Sequence, residues 1–197
     1  MTNTSATGGY LQSGTTPAPL EGQPLEDFLQ QVFSGIVGLS GDLVRPRWQQ
    51  QSPNLPDIST DWMAYGITRH VPEVFAYDEH DGSGLGTDYT ARHEVLELLL
   101  SFYGPNADAN AALLSDGFQV PQNREAMQLV GMGLVATGDI RLAPEMLKNQ
   151  WLRRVDMEVT LRRQIRRSYP VLSLVAAQGT IYYDTTPQLV STIDVHQ

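Results

Sequence analysis

The feature that most limits what this chain can fold into is an alternating run at residues 151–167. It places Trp151, Val155, Met157, Val159, Leu161 and Ile165 on one side and charged groups on the other. A period of two is the signature of a strand whose successive side chains point to opposite faces. The fold must therefore contain one long strand with a buried side and a wet, ionic side, and other elements must cover the buried side. Eight of the thirteen basic residues lie at 141–167, which gives that segment a formal charge of +5 in a protein of net charge -9. The remainder carries -14, and so uneven a layout predicts a docking surface.

A chain of 197 residues is long enough for one well-buried core and short for two ordinary domains. The acidic total argues against wrapping nucleic acid, because lysine and arginine supply most non-specific affinity for phosphate. It suits solubility, or a surface past which DNA slides without sticking. Without cysteine, disulfides and thiolate metal sites are excluded. Residues 1–20 hold neither a basic n-region nor an apolar h-region, so no secretory signal is expected there. No segment approaches the roughly 18 uninterrupted apolar residues that span a bilayer, so no membrane association is expected.

Residues 1–22 are rich in Thr, Ser, Gly and Pro and nearly devoid of large apolar side chains. Such a segment cannot repay its own ordering entropy and reads as a flexible arm. Leu25, Phe28, Leu29, Val32, Phe33, Ile36 and Val37 then recur at helical spacing after Pro24, and Gly38 and Gly41 end the helix. Residues 43–48 (LVRPRW) predict a short extended piece held to a sheet edge by Pro46. Short strands are expected at 62–68 and 74–78, a hydrophilic glycine-rich connection at 78–88, and a long strand at 89–103 with Leu96, Leu98, Leu100 and Phe102 on one face. After Pro105 comes a helix carrying Ala109, Ala112 and Leu113. A second helix, from Pro121, carries Ala126, Met127 and Val130. Extended segments follow at 134–142, 151–167 and 171–183, the last two joined around Pro170. This order predicts an α+β fold: a mostly antiparallel β-sheet with helices packed on one face and flexible N- and C-terminal arms. The expected organisation is an arm at 1–22, a single domain at 23–184 and a C-terminal tail at 185–197.

Catalytic and metal chemistry finds little support. Asp78, Glu79, His80 and Asp81 are adjacent and do not converge on one ion, and the calcium-loop pattern fails at Gly82 and Tyr89. His93, Glu94 and Glu97 spell H-E-x-x-E, but on a strand His93 and Glu94 face opposite ways, unlike the helical zinc-protease motif. Gly82, Gly84 and Gly86 lack the following Gly-Lys-Ser/Thr of a phosphate loop. No G-x-S-x-G is present, which leaves a small hydrolase built on His80 or His93 as the enzyme alternative. No cofactor or metal is expected.

Arg153, Arg154, Arg162, Arg163, Arg166 and Arg167 admit two readings. They form either a solvated face balanced by Asp156 and Glu158, or an Arg-rich protein contact in a chain with a single lysine, Lys148. Nucleic-acid binding ranks third, since no stacking aromatics are interleaved among them.

Four stretches carry a resemblance: LVRPRWQQQSPNLPDISTDWMAYGI, EVLELLLSFYGPNA, NREAMQLVGMGLVATGDIRLAPEMLKNQWLRRVDMEVTLRRQIRRSYPVL and GTIYYD. Together, within residues 25–184, they resemble the neck or tail terminator proteins of tailed bacteriophages, most densely in QWLRRVDMEVTLRRQIRRSYPV. The resemblance implies a non-enzymatic virion protein of the tail and neck, present in the host cytoplasm during assembly. It implies a homo-oligomeric ring, usually a hexamer, that caps the tail tube, ends its polymerisation and receives the head-tail connector or adaptor. The tail sheath is a further partner in contractile tails, and DNA passes through the channel without sequence-specific binding. A head-completion or adaptor protein of the same neck is the neighbouring alternative. Under this reading Trp151 and Arg153, Arg154, Arg162, Arg163, Arg166 and Arg167 are expected at a subunit or axial interface. Asp78, Glu79 and Asp81 are expected on a loop at the channel or at a ring contact.

Overall fold

A computed structural model describes residues 3–49, 54–147, 149–174, 176–182 and 189–196. They pack as two compact units. The larger comprises Ala18–Phe75 and Arg92–Ile165; the smaller comprises the described residues within Met1–Pro17, Ala76–Ala91 and Arg166–Gln197.

The larger unit opens with helix α1 (Gln23–Val37), which has a proline in its first turn and buries Leu25, Leu29, Val32, Phe33 and Val37 along one stripe. Gly38 ends it at φ 80°, a left-handed position that glycine adopts without a Cβ penalty, and its N–H returns to the Ser34 carbonyl. A 3-10 turn (Gly41–Leu43) leads to β1 (Val44–Pro46), which pairs in parallel with β2 (Trp62–Pro72). After β3 (Tyr77–Asp81), the long strand β4 (Thr87–Tyr103) pairs antiparallel with β2, from Trp62↔Tyr103 to Pro72↔Glu94. Gly104, at φ 103°, makes the turn out of β4, and a Cβ there would lie 2.6 Å from the Thr60 carbonyl oxygen. Helices α2 (Ala107–Gly117) and α3 (Pro121–Leu129) follow, then β5 (Met132–Leu142), the small hairpin β6 (Glu145–Leu147) and β7 (Gln150–Leu152), and β8 (Arg154–Tyr169). The main sheet runs β1-β2-β4-β8-β5, with β5 antiparallel to β8. β1 is an edge strand, as Pro46 requires.

One core holds the unit together. Leu25, Leu29 and Phe33 of α1, Ala107, Ala111 and Leu114 of α2, and Met127 of α3 share it with sheet residues Tyr65, Leu98, Leu100, Val155, Met157, Val159 and Leu161. Phe33 meets Tyr65 edge-on at 5.2 Å and Phe118 at 6.3 Å between centroids. The Tyr65 hydroxyl donates to the Glu26 carbonyl at 2.7 Å, and burial, then the nearby Glu26 and Asp27 charges, push its pKa up.

In the smaller unit, β3 pairs with the first residues of β4, from Tyr77↔Ala91 to Asp81↔Thr87. Residues before Pro17 bond to the end of β8 and just beyond it: the Gly14 N–H donates to the Ser168 carbonyl at 2.9 Å and the Leu172 N–H to Ser5 Oγ at 2.7 Å. Strands β9 (Ala176–Tyr182) and β10 (Leu189–His196) form an antiparallel pair.

The α+β class, the mostly antiparallel sheet and the helices on one face agree with the sequence reading, whereas several details differ. The long strand starts at Arg154, because Arg153 breaks it from β7. Helix α2 buries Ala107, Asn110, Ala111 and Leu114, so Leu113 is exposed. Asp78, Glu79 and Asp81 lie on β3 rather than in a loop, since the Thr and Tyr residues opposite them extend the pairing to the turn at 82–86. Of the strand expected at 171–183, only 176–182 is extended, and residues 175 and 183 lie outside the described residues. Part of the expected tail at 185–197 forms β10, while 185–188 and Gln197 lie outside the described residues, as does Lys148. No helix among the described residues is long and apolar enough to cross a membrane.

Candidate functional site

Strand β8 carries two faces of different chemistry. Val155, Met157, Val159, Leu161, Arg163 and Ile165 are buried, while Glu158, Arg162, Gln164 and Arg166 alternate with them on the exposed side. Arg163 is therefore in phase with the apolar residues and leaves the charged face to which its sequence neighbours had assigned it. It is 5% exposed and Glu94 of β4 is 4% exposed, and the Arg163 Nε donates to Glu94 Oε1 at 2.6 Å. Arg163 also donates to the Leu20 carbonyl, fastening the chain just ahead of α1. The Arg92 guanidinium at 3.6 Å and the His70 ring at 3.7 Å stand near the same carboxylate. A buried carboxylate needs such company to keep its charge.

The remaining arginines are half-buried or exposed, and most hold an acid of their own chain. Arg153, between β7 and β8, pairs with Asp108. Arg154 grips Asp156 through two hydrogen bonds of 2.9 and 3.0 Å and reaches Glu145 at 3.2 Å. These contacts, the bond to Asp156 first, raise its pKa. Arg162 pairs with Glu73 at 3.1 Å. The main-chain N–H of His93 also donates to Glu73, at 2.9 Å, and this bond is the first cause holding the Glu73 carboxyl below its ordinary range. In the smaller unit Arg166 pairs with Glu79 at 3.1 Å and lies 4.1 Å over the Tyr89 ring, and Arg167 is half-buried.

Trp151 stands apart. On β7 it faces Met146 of β6 across the hairpin, and the two are 67% and 57% exposed. Leu147 and Leu152 of the same hairpin pack with Trp62 and Tyr103. Those two rings stack at 4.1 Å, with Arg45 over Trp62 and Arg154 over Tyr103, so a cation–aromatic ladder crosses four strands. Beside it Arg47 donates to the buried Ser101 hydroxyl, which donates to Asp156. Sequence reasoning missed the ladder and this relay, because only the lateral order of β1, β2, β4 and β8 brings their members together.

One arrangement resembles a nucleophilic triad. His80 Nδ1 lies 2.5 Å from Asp88 Oδ1, and His80 Nε2 lies 2.9 Å from Ser173 Oγ. Acyl transfer also needs N–H donors free to hold an oxyanion. The Ser173 N–H donates instead to the Leu85 carbonyl, and the Gly86 N–H to the Ser83 carbonyl. The trio works as a strut between the hairpin and residues 171–173. His93 is half-exposed beside Glu73, at 3.3 Å. Among the described residues no group of three or more His, Asp or Glu is placed to hold a metal ion.

Asp78 accepts the Thr90 hydroxyl at 2.6 Å and Asp81 accepts the Ser83 N–H at 2.9 Å, both on exposed β3. The main-chain N–H of Ser83 is the first cause lowering the Asp81 pKa. Among known proteins, a family model described as phage neck terminator protein matches residues 23–186. No curated protein matches the chain.

Proposed function

The chain belongs to the phage neck terminator protein family, structural proteins of the virion tail and neck, and on that premise we propose that it forms a ring, hexameric by expectation. The ring caps the tail tube, ends its polymerisation and receives the head-side connector or adaptor, while DNA passes through its channel without sequence-specific contacts. The tail sheath is a further partner where the tail contracts. The protein carries no catalytic activity in this reading. The observation that carries it is the family match over residues 23–186, which takes in the whole main sheet, the β6–β7 hairpin and β8.

Trp151, Arg153, Arg154, Arg162, Arg166 and Arg167 serve a subunit or axial interface, and Asp78, Glu79 and Asp81 the channel or a ring contact. Arg163 serves the fold instead, since its guanidinium is committed to Glu94 and Leu20. Negative-stain imaging and mass measurement of the purified protein, with and without tail tubes, test the reading. A ring near six times 21.8 kDa that sits on tube ends is expected. A protein that stays monomeric and leaves tube length unchanged would sink it. Binding to the head-side connector without binding to tubes would favour the head-completion alternative.

A further inference from the structure

Resting on the ring reading, we infer that the outer face of the β6–β7 hairpin, centred on Met146 and Trp151, seats on the acidic β3–β4 hairpin of a second copy of this chain. Two large apolar side chains paired across an exposed hairpin are costly to leave in water, and tryptophan is among the residues that dominate interface energies. The pair is well supported, because Leu147 and Leu152 of the same hairpin pack with the stacked Trp62 and Tyr103 rings. Little ordering entropy remains to be lost when it docks.

Charge selects the occupant. Residues 141–154 hold four basic side chains and one acidic one, whereas residues 77–91 hold four carboxylates and neither lysine nor arginine. Within the acidic hairpin, Arg166 takes Glu79 and His80 takes Asp88. Asp78 accepts the Thr90 hydroxyl and Asp81 the Ser83 N–H, and among the described residues neither has an arginine or lysine partner, which leaves their charge available to a cation. Arg153 supplies one: it is exposed, and its five N–H groups exceed what Asp108 can accept. The acidic hairpin also brings apolar surface of its own, in exposed Tyr77 and Leu85. β3 pairs with β4 alone among the described strands, so its outer edge is open to a neighbour. The two patches differ, so each copy offers one and receives the other, which is the heterologous contact that closes rings.

Two full-length variants test this, Trp151→Glu and the double change Asp78→Arg with Asp81→Arg, followed by mass photometry across a concentration series. Each alone is expected to raise the half-assembly concentration by roughly thirtyfold or more, the scale of a lost hot spot. Mixed in equal amounts, they are expected to form a two-chain complex and nothing larger. Each pair then retains one intact contact, between the tryptophan hairpin of the double variant and the acidic hairpin of Trp151→Glu, and its formation shows that both variants are folded. Wild-type assembly by either variant alone overturns the proposal, as does a mixture that forms no complex. A Trp151→Glu ring that no longer binds tail tubes overturns it in favour of a tube contact, and intact rings of the double variant leave the acidic hairpin to the channel. A wild-type chain that never assembles defeats the ring reading itself, whereas intact Trp151→Glu rings defeat only this assignment.

Discussion

On the helix-covered face of the larger unit's sheet, Leu98, Leu100, Val155, Met157, Val159 and Leu161 are buried against α1 and its neighbours, with the Glu94–Arg163 pair as a charged intrusion. On the opposite face, Trp62, Tyr103, Arg45 and Arg154 form a ladder at one end. Towards the middle, Leu99 borders shallow hollows edged by Glu97, Asp156 and Glu158. The same strands thus serve two solvents. One face is held throughout by area removed from water; the other joins a small buried cluster around Trp62 and Tyr103 to exposed charges that water screens. Burial fixes where the strands lie, and the screened face is free to be specific about what it meets.

The largest break in that contrast should come from Phe33→Ala, which empties the centre of the covered face and should cost about 3–5 kcal/mol in urea unfolding. Next, Arg163→Met strands the Glu94 charge and should cost about 3 kcal/mol, with Arg92 and His70 softening the loss. Adding Glu94→Leu should then recover most of it, and a double-mutant cycle without coupling would refute the pair's role. Across the sheet, Arg45→Met removes one rung of the ladder and should cost only about 0.5–1 kcal/mol. Arg69→Gln, which breaks an exposed pair with Glu97, should cost less than about 1 kcal/mol and lose its effect in high salt. If Arg69→Gln matched Phe33→Ala, the contrast between the faces would fall.

The smallest effect is in pH. Glu73 titrates below its ordinary range in the folded chain, chiefly because the His93 N–H bonds to the carboxylate. A depressed carboxyl pKa adds stability that is present above the unfolded value and lost as pH falls through the folded value. The hold of Glu73 on His93 and Arg162 should therefore persist at neutral pH and loosen in acid, below the usual glutamate range. Titration of the Glu73 side-chain carbon by NMR measures this, and a midpoint at or above the ordinary value would contradict it.

The covered face was legible in the sequence because burial imposes a period: 3.6 in α1, and two in β4 and β8. The same rule, followed strictly, reaches Arg163, and only its charge argued it outward. Its partner Glu94 lies 69 residues away, beyond any local pattern. In α2 the seat is made of small residues, Ala107 and Ala111, beside Asn110 and Leu114, so the larger Leu113 marks the wrong side of the helix as apolar. Residues 79–81, the outer part of β3, read as a loop because a strand exposed on both faces has no apolar alternation to show. The assembly candidates were half legible: Trp151 and the arginines stood out, whereas Met146 and the ladder needed the register.

The bond from Arg163 to the Leu20 carbonyl spans 143 residues of chain. It sets a timetable for synthesis. Helix α1 emerges early with its apolar stripe bare, and β8, whose apolar face shares one core with it, is among the last elements made. Contacts of such separation close late and slowly. A product cut short before β8 lacks Val155, Met157, Val159 and Leu161, which share one core with that stripe, and a core left incomplete is open to proteases. Completeness of the polypeptide is in this way checked by the fold itself.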